Sequence, residues 1–280
     1  IGGPDNCAVM SWFGIDLFDT TRSKQAEAHG AVLTWNGPRM RTENEPEIDH
    51  WAAALTETRS AISSQSLREL AQSQSLSSPR LVEHMRYNDI LISSKEGVLS
   101  QIVDSAAALR VHSVESHSDP LILDWVKFIK EDYVSPQGLD DILILLPCSA
   151  RKPYSYSRSH KSFHRAMNHN AAHEVMVTSP LGLVPRDLEE VWPAGHYDIP
   201  VTGDWTTDER IRVTQMIDAL VSRNNYRLII NHSGMDYNSE IDVIDTRQGD
   251  SGTSHVALER LGQAVLDNIH VKRRSGERTN

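Results

Sequence analysis

The apolar run Ile142, Leu143, Ile144, Leu145, Leu146, halted by Pro147, constrains the fold of this chain more than any other feature. Its length suits a strand, its lack of alternation says that both faces are covered, and the proline ends it by removing a ladder donor. Strands buried on both faces belong to α/β sheets, where chemistry collects at the carboxyl ends of strands. The loop after the proline fits that expectation, because Cys148, Ser149, Arg151, Lys152, Tyr154, Ser157, Arg158, Ser159, His160 and Lys161 crowd into it. From Ser149 through His173 there is no acidic residue, while Arg151, Lys152, Arg158, Lys161 and Arg165 put five positive charges into a chain of net charge −10. Such an island reads as a phosphate-facing surface.

Composition narrows the class. A chain of 280 residues with 39% hydrophobic residues has room for two domains with soluble cores. No apolar run approaches the roughly 20 residues needed to span a bilayer, so no membrane role and a cytoplasmic location are expected. Cys7 and Cys148 are too far apart in sequence to suggest a disulfide framework or a cysteine-based zinc site, and the 13 histidines are dispersed. No metal and no cofactor are expected. The chain opens on Ile1 rather than Met, which predicts a fragment of a longer protein.

Residues 12–19 read as a strand ending in the carboxylates Asp16 and Asp19, followed by a short helix closed by Gly30 and by a strand at 31–34. Connecting helices are predicted between 49 and 81, and a Ser- and His-rich boundary between 111 and 120. Beyond it, helices at 120–133, around 163–167, at 206–222 and at 254–268 alternate with strands at 142–146, 174–178, 226–231 and 241–245. Thr206 and Glu209 have the spacing of a capping box. Strands alternating with helices imply a parallel or mixed sheet in three layers.

Pro147, Cys148, Ser149, Lys152, Pro153, Tyr154, Ser157, Ser159 and His160 meet every fixed position of the Pro-Cys-Ser-x-x-Lys-Pro-Tyr-x-x-Ser-x-Ser-His signature, and the segment therefore resembles archaeosine synthase, an archaeal tRNA-modifying family related to tRNA-guanine transglycosylases. A second stretch, from Ser179 through Arg186, Asp187, Glu190, His196 and Asp198 to Trp205, is similar to another patterned part of that family. Gly14, Asp16, Phe18 and Asp19 resemble the transglycosylase Gly-x-Asp-x-Phe-Asp segment, which places Asp19 at a vestigial nucleophile position. The zinc cysteines of the transglycosylases are missing, since no cysteine lies between Cys7 and Cys148. The resemblance implies an α/β fold: the C-terminal part of a transglycosylase-like (β/α) barrel over 1–112, a three-layer uracil-DNA-glycosylase-like α/β core over 113–271, and a basic linker over 272–280.

The same resemblance implies an enzyme that adds an amine donor, lysine or another nitrogen source, to the nitrile of 7-cyano-7-deazaguanine in the tRNA D-loop. Expected partners are tRNA, that amine donor, a radical enzyme that completes the reaction, and a second copy of the chain. Cys148 is either a nucleophile forming a thioimidate or a small apolar residue at a strand end. Lys152 is a catalytic amine, a phosphate contact or a loop anchor, and His160 a proton donor or a structural hydrogen-bonder to Ser157 and Ser159. Asp198 is a candidate for recognising the base edge or the donor amine, Tyr154 for stacking the base, and Ser149, Arg151, Arg158, Lys161 and Asn231 for binding substrate or tRNA. Two other functions fit the same residues: a non-catalytic tRNA-binding module, or base exchange through Asp19.

Overall fold

The computed structural model describes residues 2–94, 108–111, 113–168, 171–199 and 204–276, with side chains given up to residue 268. The chain divides into two compact units, 1–123 and 124–280. Both combine helices and strands.

The first unit carries helices α1 (Cys7–Trp12), α2 (Thr21–Ala28), α3 (His50–Ser63), α4 (Leu67–Ser75) and α5 (Pro79–Ser93), with one hairpin of β1 (Ala31–Thr34) and β2 (Gly37–Met40). Val9, Ala71, Leu81 and Met85 form a buried cluster, flanked by Met10, Trp12 and Phe13. The buried Gln74 satisfies the start of α1, accepting from the Ala8 amide at 2.9 Å and donating to the Pro4 carbonyl at 2.9 Å. Arg68 is buried against Asp89 at 2.7 Å, the pairing a buried cation requires.

No barrel is present among the described residues of this unit. The expected strand over 12–19 is instead the end of α1 followed by irregular chain, with Gly14 at φ +89° and Leu17 90% exposed. Trp12 and Phe13 pack against the buried cluster and Phe18 against Trp51, while Ile15 and Leu17 are exposed. The helix ended by Gly30 and the strand at 31–34 form as the sequence predicts.

The second unit is built on a five-stranded sheet. Helix α6 (Pro120–Glu131) spans the division between the units and leads to the central strand β3 (Ile142–Pro147). Helix α7 (Arg158–Met167), strands β4 (His173–Thr178) and β5 (Gly182–Pro185), helix α8 (Thr207–Arg223), strands β6 (Leu228–Asn231) and β7 (Asp242–Asp245), and helix α9 (His255–Gly276) follow. The sheet order is β5-β4-β3-β6-β7, parallel except for the β4–β5 hairpin. Ile142 through Leu146 are at most 2% exposed, as the unbroken apolar run requires of a central strand.

The edge strand β5 lies outside the predicted strands; its only strand-favouring apolar residues, Leu183 and Val184, stand between a glycine and a proline. Gly182 makes the turn possible: it holds φ +75°, and a Cβ there would lie 2.2 Å from Met216 Sδ of α8. On the other side of the motif helix, α9 reaches α7 closely at Gly262, where a Cβ would stand 2.7 Å from the Ala166 carbonyl oxygen. The C-terminal end of α8 is tied to α6 by the Arg223 guanidinium, which donates to the carbonyls of Ile129 and Lys130.

From β3 the chain moves through α7 to β4 on one side, then returns through α8 to β6 on the other. Right-handed crossovers in opposite directions place their helices on opposite faces. The same reversal creates a switch point between β3 and β6, at whose carboxyl ends lie Pro147-Cys148 and Asn231-His232. Ligands of open α/β sheets bind at such crevices. Residues 272–276 continue α9, and 277–280 lie outside the described residues.

Candidate functional site

Cys148 follows the last residue of β3 and is half-buried. Thr178, at the carboxyl end of the neighbouring β4, hydrogen-bonds to its thiol. The Thr178 hydroxyl also bonds the Tyr197 hydroxyl at 2.7 Å, and the Tyr154 hydroxyl at 3.3 Å, while the two tyrosine hydroxyls bond each other. Lys152 closes this group. Its Nζ is buried, has no hydrogen-bond partner among the described residues, and stands 4.2 Å from the centre of the Tyr197 ring.

Burial dominates the electrostatics of the pair. It pushes the Cys148 thiol above its ordinary value, an effect that the Lys152 charge and the Thr178 hydroxyl partly offset. Burial likewise pushes the Lys152 ammonium below its ordinary value, opposed by the charges of Cys148 and Asp198. Burial thus works against both charged forms, the thiolate and the ammonium. The Tyr154 and Tyr197 hydroxyls are held protonated, chiefly by burial.

His160 occupies the next layer. Its Nε2 lies 2.9 Å from the Pro147 carbonyl oxygen and its Nδ1 3.0 Å from an Arg186 guanidinium nitrogen. Nδ1 must accept from Arg186, so Nε2 carries the proton and donates to Pro147. Burial and then the Arg186 charge lower its pKa to about 3. Its ring packs against Tyr154 and Phe163, at centroid distances of 5.3 and 5.2 Å. With both nitrogens engaged inside the protein, His160 is built to hold the motif loop rather than to donate a proton.

The remaining candidates separate into groups. Tyr154 is 0% exposed, so it offers no open face for stacking a base; the exposed ring in the loop is Tyr156, 5.9 Å beneath the Arg151 guanidinium. Ser157 caps α7 by accepting from the His160 amide at 3.2 Å, and its hydroxyl meets that of Ser159 at 3.2 Å. Ser149 donates to the Arg151 carbonyl at 3.0 Å. Arg158 and Lys161 are exposed on α7, and Asp198 is exposed close enough to act on the charge of Lys152.

Asn231 is buried and occupied, donating to the Met235 carbonyl and accepting from Ser233. Its neighbour His232 is likewise held, between the Thr246 hydroxyl and the Gly252 carbonyl. In the first unit, the exposed Asp19 accepts from the Thr21 amide at 2.9 Å at the start of α2. A helix-start acid in an exposed turn is not the environment of a buried nucleophile.

Thr178, Tyr197, Arg186 and Glu189 were not singled out as site residues by the sequence. Arg186 pairs with Glu174 and Glu189, each at 2.8 Å, and Glu189 accepts from the Ser155 amide at 3.0 Å, tying the second patterned stretch to the motif loop. The available signal was the pattern of 179–198 itself, read as acids beginning a turn rather than as a partner for residues 147–160. Pro200, Thr202 and Gly203 of that stretch lie outside the described residues. Among the described residues no three His, Cys, Asp or Glu side chains are grouped to hold a metal ion, and no helix is long and apolar enough to cross a membrane.

Residues 122–265, which contain the whole of this cluster, match the family described as Domain of unknown function (DUF5591). The chain belongs to that family. The DUF5591 chain is similar to curated archaeosine synthases. It is 40% identical over 242 residues to the archaeosine synthase subunit alpha of Thermoplasma acidophilum, covering 82% of this chain and 45% of that protein. Identity is 30% over 304 residues to the archaeosine synthase subunit alpha of Methanosarcina acetivorans (94% and 48% covered), and 32% over 255 residues to the archaeosine synthase of Haloferax volcanii (83% and 43%). The DUF5591 chain therefore spans about half the length of the curated relatives it matches.

Proposed function

We propose that this chain forms the core of an enzyme of archaeosine biosynthesis, which converts the nitrile of 7-cyano-7-deazaguanine in the tRNA D-loop to an amidine by adding an amine donor such as lysine. The observation that carries the reading is the placement of the Cys148 thiol and the buried Lys152 amine together at the carboxyl end of the central strand. Similarity to archaeosine synthases over 82% or more of the chain supplies the substrate class. On this reading residues 113–271 are the catalytic core, of uracil-DNA-glycosylase-like arrangement. The transglycosylase-like origin of 1–112 rests on the motif around Asp16 and Asp19, its continuation at 31–34 and the likeness of 79–89 to the helix that closes the transglycosylase barrel. A substrate that is tRNA supports a cytoplasmic location, and the separate radical enzyme acting on the adduct is what the resemblance to archaeosine synthase implies.

A nitrile carbon is a poor electrophile, so the site must supply a strong nucleophile, a proton for the developing imine nitrogen and exclusion of water. Lys152 Nζ takes the Cys148 proton as sulfur bonds to the nitrile carbon, and returns it to the nitrile nitrogen, giving a neutral thioimidate. The donor amine then adds to that carbon. The carbon–sulfur bond breaks, the thiolate recovers a proton, and the amidine leaves with both nitrogens attached. Lys152 replaces His160 as the proton carrier because its nitrogen is unpartnered, whereas both His160 nitrogens are occupied. Asp198, exposed beside Lys152, is placed to meet the incoming amine.

Mass spectrometry of nucleosides, after the full-length protein is incubated with nitrile-bearing tRNA and lysine, tests the reading. A lysine-adducted base supports it. Binding of tRNA with no change to the base identifies a non-catalytic tRNA-binding module instead, and exchange of labelled guanine identifies a transglycosylase.

A further inference from the structure

A cleft of about 410 Å³ lies on the other side of His160 from the Pro147 carbonyl, lined by Ser155, Lys161, His164, Arg165, Glu174 and Arg186. Its charges are unevenly compensated. Arg186 is neutralised by Glu174 and Glu189, whereas Lys161 and Arg165 are exposed and have no ion-pair partner among the described residues. With Arg158 they form one stripe along α7, at spacings of three and four residues, opposite the buried face of His160, Phe163 and Met167. Seven residues of helix extend about 10 Å, longer than one small anion. In a chain of net charge −10 this acid-free stripe is a local reversal of sign, which attracts an anionic ligand.

We propose that this cleft and the Arg158-Lys161-Arg165 stripe bind phosphodiester groups of an RNA strand, holding the backbone beside the nucleotide whose base enters the Cys148 site. The assignment deepens the tRNA-modifying reading and rests on it. His160 forms the wall between the two sites: one nitrogen is fixed by Arg186, which lines the cleft, and the other fixes the carbonyl preceding Cys148. Phosphates seated on α7 would thereby be indexed to the reactive loop through two hydrogen bonds.

The test is the affinity of the full-length protein for tRNA across a series of KCl concentrations, with Lys161→Ala, Arg165→Ala and the double variant. Both side chains are exposed, so the fold should survive, and Lys161→Glu serves as a second probe of sign. The log–log salt slope should fall by about 0.7–0.9 for each lost phosphate contact, hence by about 1.4–1.8 in the double variant. Lys161→Glu should weaken binding further than Lys161→Ala. At saturating tRNA the double variant should keep kcat, with the loss confined to KM. An unchanged slope and affinity would overturn the subsite, and so would a fall in kcat with binding intact. Failure of the catalytic reading would look different, with wild-type protein binding tRNA through this cleft and leaving its base unaltered.

Discussion

At the scale of single residues, environment separates groups that the sequence sets side by side. The Lys152 Nζ is buried and without a hydrogen-bond partner among the described residues, and burial destabilises its charge, where Arg151, one residue earlier, is exposed over Tyr156. Lys152→Met should therefore abolish amidine formation while changing tRNA affinity less than twofold. The wild-type rate should rise with pH along a limb set below the ordinary lysine value of 10.5, because the amine must be neutral to accept the thiol proton. A Lys152→Met enzyme with wild-type turnover would remove Lys152 from the mechanism. His160 makes a contrasting prediction. Its folded pKa of about 3 lies below the ordinary 6.5, so the unfolded chain binds its proton first as pH falls. His160 stabilises the fold fully above about pH 6.5, and this contribution drains away between about 6.5 and 3. In His160→Gln, urea midpoints measured down that range should fall less steeply than in wild type, and an equal decline would contradict the assignment. The motif named both residues, but their roles were not legible there, because whether a nitrogen already has a partner is a property of packing.

Elements were more legible than roles. The strand at 142–147 follows from an unbroken apolar run, and the start of α8 from the spacing of Thr206 and Glu209, whose side chains complete a reciprocal capping box. Thr206→Ala should cost about 1 kcal/mol, read as a lowered urea midpoint at unchanged m-value. The edge strand β5 was hidden by its glycine and proline, which signal a turn locally and yield to the ladder that β4 supplies. Gly182→Ala should be more damaging, by about 1–3 kcal/mol, since it combines a positive φ with a collision against Met216. A neutral outcome would mean that α8 retreats easily from the hairpin. The converse holds at residues 12–19, where an apolar stretch with paired acids predicts a strand but the chain pairs with none among the described residues. Pairing, unlike periodicity, cannot be read from one segment.

Over the whole molecule, the acid-free stretch from Ser149 to His173 was visible in the sequence as a local reversal of the chain's charge. What was not visible is that it wraps from the end of β3 onto α7, presenting a reactive loop on one side of His160 and cations on the other. Thr178 and Tyr197 join Cys148 only because the sheet sets β4 beside β3 and the chain from β5 returns to the same crevice. Covalent catalysis at Cys148 can be read out by intact-protein mass spectrometry. With nitrile-bearing tRNA and no amine donor, the full-length protein should gain an RNA-linked mass that peptide mapping after nuclease digestion places on Cys148. Added lysine should discharge it, and Cys148→Ser should neither gain it nor form amidine. Amidine formation by Cys148→Ser at near wild-type rate, with no adduct trapped on the wild-type thiol, would contradict the account.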